Sequence, residues 1–269
     1  MQLSENIRLF LFDMDGTIYL GNRLFDFTAD LLSEIKAQGK RYMFMTNNSS
    51  KSVDAYIDKL GKMGIKATKE DFITSAQATA HYLKNHLPEK RFYVCGTASL
   101  VKEFSEAGLN VTDKCDDAAV TALVMGFDTE LTFEKLEYLS RMLCTRDMPY
   151  IATHPDTVCP TEYGSVPDCG AFCEMLYHAS GKKPLVVGKP EPLMPQLAME
   201  WANALPSETM VIGDRLHTDI ACGLRADTQT LLVFSGETTP EILAASPTKP
   251  HFAEQDCGVL LRALRDLHK

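Results

Sequence analysis

Short unbroken apolar runs alternate along the chain with segments whose apolar residues recur every three or four positions. The first run, Leu9-Phe10-Leu11-Phe12, is followed by "FTADLLSEIKAQGK", with its leucines and isoleucine on one helical face and Gly39 as the stop. A second run, "YMFMT", leads into "NNSSKSVDAYIDKLGKMG", where Ser50 or Ser52 is placed to cap a helix. The rhythm returns late in the chain as "PLVVG", "PLMPQLAMEWANAL", "TMVIGD", a short helix from Thr218, and "TLLVFSG". Runs without polar alternation read as strands buried on both faces, and their alternation with helices predicts an α/β fold, a doubly wound Rossmann-like parallel sheet.

Another set of alternating elements interrupts this pattern: "RFYVCG", a helix, "AVTALVMGF", a helix from Thr132, "YIATH", a Pro/Gly-rich loop, and a helix from Gly170. It is too long for a crossover and large enough to bury a core of its own. The expectation is a core domain formed by residues 1–80 plus 182–269, with a smaller α/β domain inserted over 81–181.

The 269 residues suit one large or two modest domains, and 45% hydrophobic with 23% charged residues is ordinary globular composition. No run approaches the ~18 apolar residues of a membrane helix, and "MQLSENIRLF" lacks the features of a secretory signal, so a cytoplasmic location without membrane association is expected. The net charge of −9, with no basic cluster, argues against a nucleic-acid polymer as partner. Eight scattered cysteines form no C-x-x-C pair and read as buried reduced thiols. Cys169 and Cys173 are four apart with His178 nearby, which helical spacing explains better than a zinc site.

The polar residues that interrupt this pattern fall at strand ends. The first run stops at Asp13 and Asp15, and the second at Thr46, Asn47 and Asn48. "VVGKPEP" sets Lys189 just past a run, and "VIGDRLHTDI" does the same for Asp214, with Asp219 five residues on. Taken singly, each is weak: D-x-D after a strand is more often a turn or a cap, and G-K-P is a common surface turn. In a parallel sheet, however, such ends gather on the edge where these sheets bind ligands. Crowded carboxylates repel unless a cation lies among them, which suits Mg²⁺ with its preference for oxygen. Lys189, Thr46 and Asn47 would supply a cradle for a phosphoryl group.

In order along the chain, "FDMDGTIY", "TNNSS", "VVGKPEP" and "IGDRLHTDI" resemble the four motifs of the haloacid dehalogenase superfamily. The long insertion between the second and third motifs is similar to that of the nitrophenylphosphatase/NagD-like subgroup, where the insert forms a cap. The resemblance spans essentially the whole chain. It implies that Asp13 is the nucleophile, forming an aspartyl-phosphate, and that Asp15 is the general acid and base. It further implies Mg²⁺ held by the Asp13 and Asp214 carboxylates and the Asp15 carbonyl, with Asp219 supporting the metal shell or Lys189. Thr46, Asn47 and Lys189 would hold the phosphoryl oxygens, with Asn48 close by. Dehalogenases of the superfamily lack the second aspartate, so Asp15 points to phosphoryl chemistry.

The resemblance also implies that the insert selects the substrate, with "THPDTVCPTEYGSVPDCGAF" (153–172) as the contacting loop. Relatives often carry "PG-x-G" where this chain has "PDCG". Asp168 therefore reads either as a substrate contact or as a helix cap, with the cap preferred, and Cys159 argues against a vitamin B6-phosphate substrate. His154, His178 and His217 read as incidental, and Trp201 as core packing. Relatives often dimerise through their caps, so the resemblance makes a homodimer through the cap one possible assembly, while the sequence itself leaves the oligomeric state open. The expected activity is Mg²⁺-dependent hydrolysis of small phosphorylated metabolites, such as sugar phosphates or nucleoside monophosphates. Its rivals are a phosphomutase using the same aspartates and a non-catalytic phosphometabolite sensor.

Overall fold

The chain opens with strand β1 (Leu9–Phe12), a small hairpin of β2 (Tyr19–Leu20) and β3 (Arg23–Leu24), helix α1 (Thr28–Ala37), β4 (Arg41–Thr46), α2 (Val53–Lys62) and β5 (Phe72–Thr74). These and the elements below come from a computed structural model that describes residues 1–267. There follow α3 (Ser75–His86), β6 (Phe92–Cys95), α4 (Ala98–Glu106), β7 (Val111–Thr112), β8 (Ala122–Met125), α5 (Phe133–Thr145) and β9 (Tyr150–Ala152). Then come β10 (Val158–Thr161), β11 (Gly164–Pro167), α6 (Cys169–Ser180) and β12 (Leu185–Val186). The last stretch holds α7 (Leu193–Ala202), β13 (Thr209–Gly213), α8 (Ala221–Arg225), β14 (Gln229–Val233), α9 (Pro240–Ala245), β15 (Phe252–Glu254) and α10 (Gly258–Asp266).

Two compact units result. The first comprises Met1–Thr46, Tyr56–Ile73 and the chain from Lys189 onward. Among the described residues it carries a six-stranded sheet in the order β15-β14-β13-β1-β4-β5. β1 runs parallel to both β4 and β13, and β14 runs parallel to β13 and β15. All four residues of β1 and all five of β13 are buried, as expected of central strands covered on both faces. Phe44 packs against Phe72 with ring centres 5.3 Å apart, joining β4 to the edge strand β5. Helix α1 buries Leu31, Leu32 and Ile35 and is followed by Gly39 in the left-handed region, the stop its sequence predicts.

The second unit comprises Asn47–Ala55 and Thr74–Gly188. Its five-stranded sheet has the order β12-β9-β8-β6-β7. Four helices here start on a capping side chain: Thr74 for α3, Thr97 for α4, Thr132 for α5 and Asp168 for α6. Each such cap contributes about 1 kcal/mol to its helix. The core is built from residues including Tyr93, Leu123, Met125, Leu139 and Phe172.

Four details differ from the sequence expectations. The second unit takes in Asn47–Ala55 and Thr74–Gly188 where the sequence places an insert over 81–181, with Thr74 capping α3 and β12 pairing with β9. The strand before Lys189 therefore lies in the second sheet, not the first; an apolar run does not reveal which parallel sheet will accept it. The 153–172 segment is not a loop throughout but folds as an antiparallel β10–β11 hairpin. Trp201 is 42% exposed at the end of α7 rather than packed in the core.

Candidate active site

Asp13 and Asp214 come together because their strands are neighbours in register. Phe12 lies beside Ile212, and the Asp13 N–H donates to the Ile212 carbonyl at 2.8 Å, so each aspartate follows the end of its own buried strand. Beyond Asp214 the chain makes a π-helical turn, Leu216–Ile220, that returns Asp219 to the strand end. Asp219 Oδ2 there accepts the Arg215 N–H at 3.1 Å. The expected helix start at Thr218 thus lies inside this turn. Gly213 leaves the space that Asp219 fills, since a β-carbon there would collide with its carboxylate.

Lys189 ties the group together. Its Nζ donates to Asp13 Oδ1 at 2.6 Å, Asp219 Oδ1 at 2.6 Å and the Met45 carbonyl at 3.1 Å, three acceptors for the three protons of an ammonium. The Met45 carbonyl is in reach because β4 lies beside β1, with Phe44 opposite Phe12. Asp214 is held separately: its Oδ2 accepts the Glu237 N–H at 2.7 Å and its carbonyl accepts that of Thr238 at 3.2 Å. Its Oδ1 is buried with no hydrogen-bond partner. Gly16 closes over this carboxylate at φ +85°, where a β-carbon would lie 2.6 Å from Asp214 Oδ2. Backbone angle and close approach both demand glycine there.

Three carboxylates share one ammonium, so the group is over-supplied with negative charge. Burial, with Asp219 and Asp214 adding to it, pushes the Asp13 carboxyl up to about 8 despite the opposing pull of Lys189. Burial and then Asp219 push Asp214 up to about 6. For Lys189, burial alone would lower the ammonium, but Asp13 and Asp219 reverse that and hold it above its ordinary value. Carboxylate oxygens of Asp13, Asp214 and Asp219 lie within 4.8 Å of one another. An all-oxygen donor set, excess negative charge and an orphaned buried oxygen together fit a hard divalent cation.

The remaining candidates are placed unevenly. Asp15 is exposed, and its Oδ1 accepts the Gly21 N–H at 3.4 Å beside the β2–β3 hairpin. Thr46 is buried at the end of β4 in the first unit. Asn47 and Asn48 fall in the second unit. Asn47 Nδ2 donates to Asp156 Oδ2 at 3.1 Å, and Asn48 Oδ1 accepts from the Ser50 N–H at 2.9 Å, forming a turn. Helix α2 starts only at Val53, after this turn, with Ser52 Oγ accepting the Ala55 N–H.

A profile described as "Haloacid dehalogenase-like hydrolase" matches residues 10–110, and one for HAD-hydrolase-like sequences matches 186–257. The chain is 31% identical over 260 residues to an acid sugar phosphatase of Staphylococcus saprophyticus, covering 97% of this chain and 99% of that one. The chain belongs to the haloacid dehalogenase-like hydrolases. Among solved structures, a 4-nitrophenylphosphatase from Thermotoga maritima superposes with a TM-score of 0.91 at 36% identity, covering 96% of this chain and 98% of that one. NagD from E. coli K-12 superposes with a TM-score of 0.84 at 28% identity, covering 93% and 96%. The protein is a phosphatase of this haloacid dehalogenase-like family.

In this haloacid dehalogenase-like phosphatase one functional candidate escaped the sequence reading. His154, taken as incidental, is completely buried in the second unit. Its Nδ1 lies 3.5 Å from Asp156 Oδ2 and its Nε2 lies 3.5 Å from Asp168 Oδ1. Nothing local marks it, because Asp168 arrives only after the whole β10–β11 hairpin. Asp168 itself caps α6 as preferred from sequence, accepting the Cys169 N–H at 2.6 Å. His178 and His217 are exposed.

Proposed function

We propose that this protein is a Mg²⁺-dependent phosphomonoesterase that hydrolyses small phosphorylated metabolites, sugar phosphates foremost, through an aspartyl-phosphate on Asp13. The observation that carries the reading is the buried Lys189 bridging Asp13 and Asp219 beside an orphaned Asp214 oxygen, at the ends of two adjacent parallel strands. The acid sugar phosphatases of staphylococci, related over nearly their full length, support sugar phosphates as the substrate class.

In this mechanism Lys189 holds the Asp13 carboxylate in one orientation, and an Asp13 oxygen attacks phosphorus in line with the leaving oxygen. Asp15, exposed and outside the Lys189 network, gives its proton to the leaving alkoxide. It then takes a proton from the water that cleaves the acyl phosphate. Lys189 and Thr46, with Asn47 next along the chain, hold the phosphoryl oxygens, while Asp219 keeps Lys189 charged and in place. Asp13, Asp214 and the Asp15 carbonyl would hold Mg²⁺, which when bound offsets the charge of the carboxylates and of the phosphoryl oxygens.

Phosphate release from a panel of phosphomonoesters, measured with Mg²⁺ and with EDTA, tests this reading. Metal-dependent release, strongest on sugar phosphates, is expected. No release from any compound by folded, Mg²⁺-binding protein would contradict it.

A further inference from the structure

The group around His154 sets four polar side chains in a row within the second unit, the two buried ring nitrogens making no hydrogen bond but each facing a carboxylate at ion-pair distance. From one end it runs Asp168 Oδ1 to His154 Nε2 at 3.5 Å, then His154 Nδ1 to Asp156 Oδ2 at 3.5 Å, then Asp156 Oδ2 to Asn47 Nδ2 at 3.1 Å. His154 is completely buried, and Asp168 and Asn47 nearly so. We infer that His154 is a positioning residue: held as an imidazolium between Asp168 and Asp156, it neutralises and aims Asp156, which fixes the side-chain amide of Asn47. This rests on the reading of Asn47 as a residue that holds phosphoryl oxygens.

The geometry favours an imidazolium over a metal ion. The two ring nitrogens face different carboxylates, whereas a cation would take one nitrogen and draw both carboxylates to a single point. Each facing oxygen is also committed elsewhere, Asp156 Oδ2 to Asn47 and Asp168 Oδ1 to the Cys169 N–H. Neutral imidazole has only one N–H and could not donate toward both carboxylates, while the imidazolium can. The base of the hairpin is closed around the ring by the Asp168 N–H to the Thr157 carbonyl at 3.0 Å and the Gly170 N–H to the Asp156 carbonyl at 2.8 Å.

The functional consequence is electrostatic. With the proton on His154, two carboxylates and one imidazolium leave a single negative charge beside Asn47. Without it, Asp156 stands uncompensated next to an amide that must receive an anionic phosphoryl group, so substrate binding weakens. The groups facing His154 are Asp156 before β10, Asp168 at the start of α6 and Cys173 within α6; Glu174, Tyr177 and Lys183 line a cavity with it. Burial pulls the imidazolium down, but Asp156 and Asp168 outweigh that and hold it above the ordinary histidine value. The positioning is therefore complete below that ordinary value and is lost as pH rises through the raised one.

The test combines histidine NMR on the full-length protein with steady-state kinetics. The His154 signal, assigned by its loss in His154→Gln, should show both nitrogens protonated at neutral pH, and Asp168→Asn, which keeps a helix cap, should lower its titration point. With a sugar phosphate, wild-type KM should rise through the His154 titration while His154→Gln gives a flat profile and a KM at pH 6.5 higher by on the order of tenfold, kcat changing less than about twofold. Adding Asp156→Asn to His154→Gln removes the unbalanced charge and should return most of the lost KM. A neutral imidazole at pH 7, a KM profile unchanged by His154→Gln, or one ring nitrogen bound to Zn²⁺ would each overturn the inference. Should no phosphomonoester be hydrolysed at all, the spectrum still decides the state of His154, so failure of the functional reading stays separate.

Discussion

Among the described residues each unit holds one group of three potential metal-binding side chains, and the two balance their charge in opposite ways. In the first, Lys189 bridges Asp13 and Asp219 beside Asp214, and one Asp214 oxygen is buried without a partner. In the second, Asp156 and Asp168 enclose His154, so the cation is a member of the group itself. Two carboxylates with one built-in cation approach neutrality to within a single charge. Three carboxylates with one ammonium do not, and burial, with that excess adding to it, raises Asp13 and Asp214 above ordinary aspartates. A count of acidic and basic side chains thus separates a group suited to an external divalent ion from one that can stand alone.

Mutation of the nucleophile gives the largest contrast. Asp13→Asn is expected to lower turnover of 4-nitrophenyl phosphate by on the order of 10³-fold or more, whereas His154→Gln leaves kcat nearly intact. Equal kcat losses in steady-state assays would erase the distinction between the two groups.

Next in size is the loss of the built-in cation from the first group. Lys189→Met strands Asp13 and Asp219 in the interior and should cost ~3–5 kcal/mol in denaturant unfolding. If Asp219→Leu, added to Lys189→Met, recovers none of this, the cost comes from packing rather than charge.

A smaller effect sharpens the electrostatic side. Folded Asp13 keeps its proton up to about 8, while the unfolded chain releases it near the ordinary aspartate value. The stability that the protonated carboxyl contributes is complete at acid pH and is lost as pH rises through about 8. In EDTA, the melting temperature should therefore fall between about pH 4 and pH 8, and both Mg²⁺ and Asp13→Asn should flatten the decline. An identical slope in Asp13→Asn would assign the pH dependence to other groups. The smallest expected effect belongs to the second group, where Asp168→Ala removes the α6 cap and one partner of His154, lowering stability by ~1–2 kcal/mol in the same denaturant assay.

Much of the first group was legible because strand ends in a parallel sheet are a topological consequence of the apolar runs before them. Asp13 after Leu9–Phe12 and Asp214 after Thr209–Gly213 needed only the inference that both runs are parallel neighbours. The motif around Lys189 marks the residue but not its sheet, since Leu185–Val186 is equally apolar whichever sheet accepts it. His154 was missed for a different reason: its partners lie 2 and 14 residues away across a hairpin, and only the closed hairpin brings both carboxylates to the ring. Trp201 was misplaced because a long apolar helix segment gives no sign of where its last turn leaves the core.

The central claim, attack on phosphorus by Asp13, is most directly tested by trapping the intermediate in Asp15→Asn with 4-nitrophenyl phosphate. Nitrophenolate leaves without a proton, so the acyl phosphate still forms, while its hydrolysis lacks the base that activates water. Acid quench, borohydride reduction and peptide mass spectrometry should then find residue 13 converted to homoserine. Continued turnover with residue 13 unmodified, or with the modification on another carboxylate, would contradict the account.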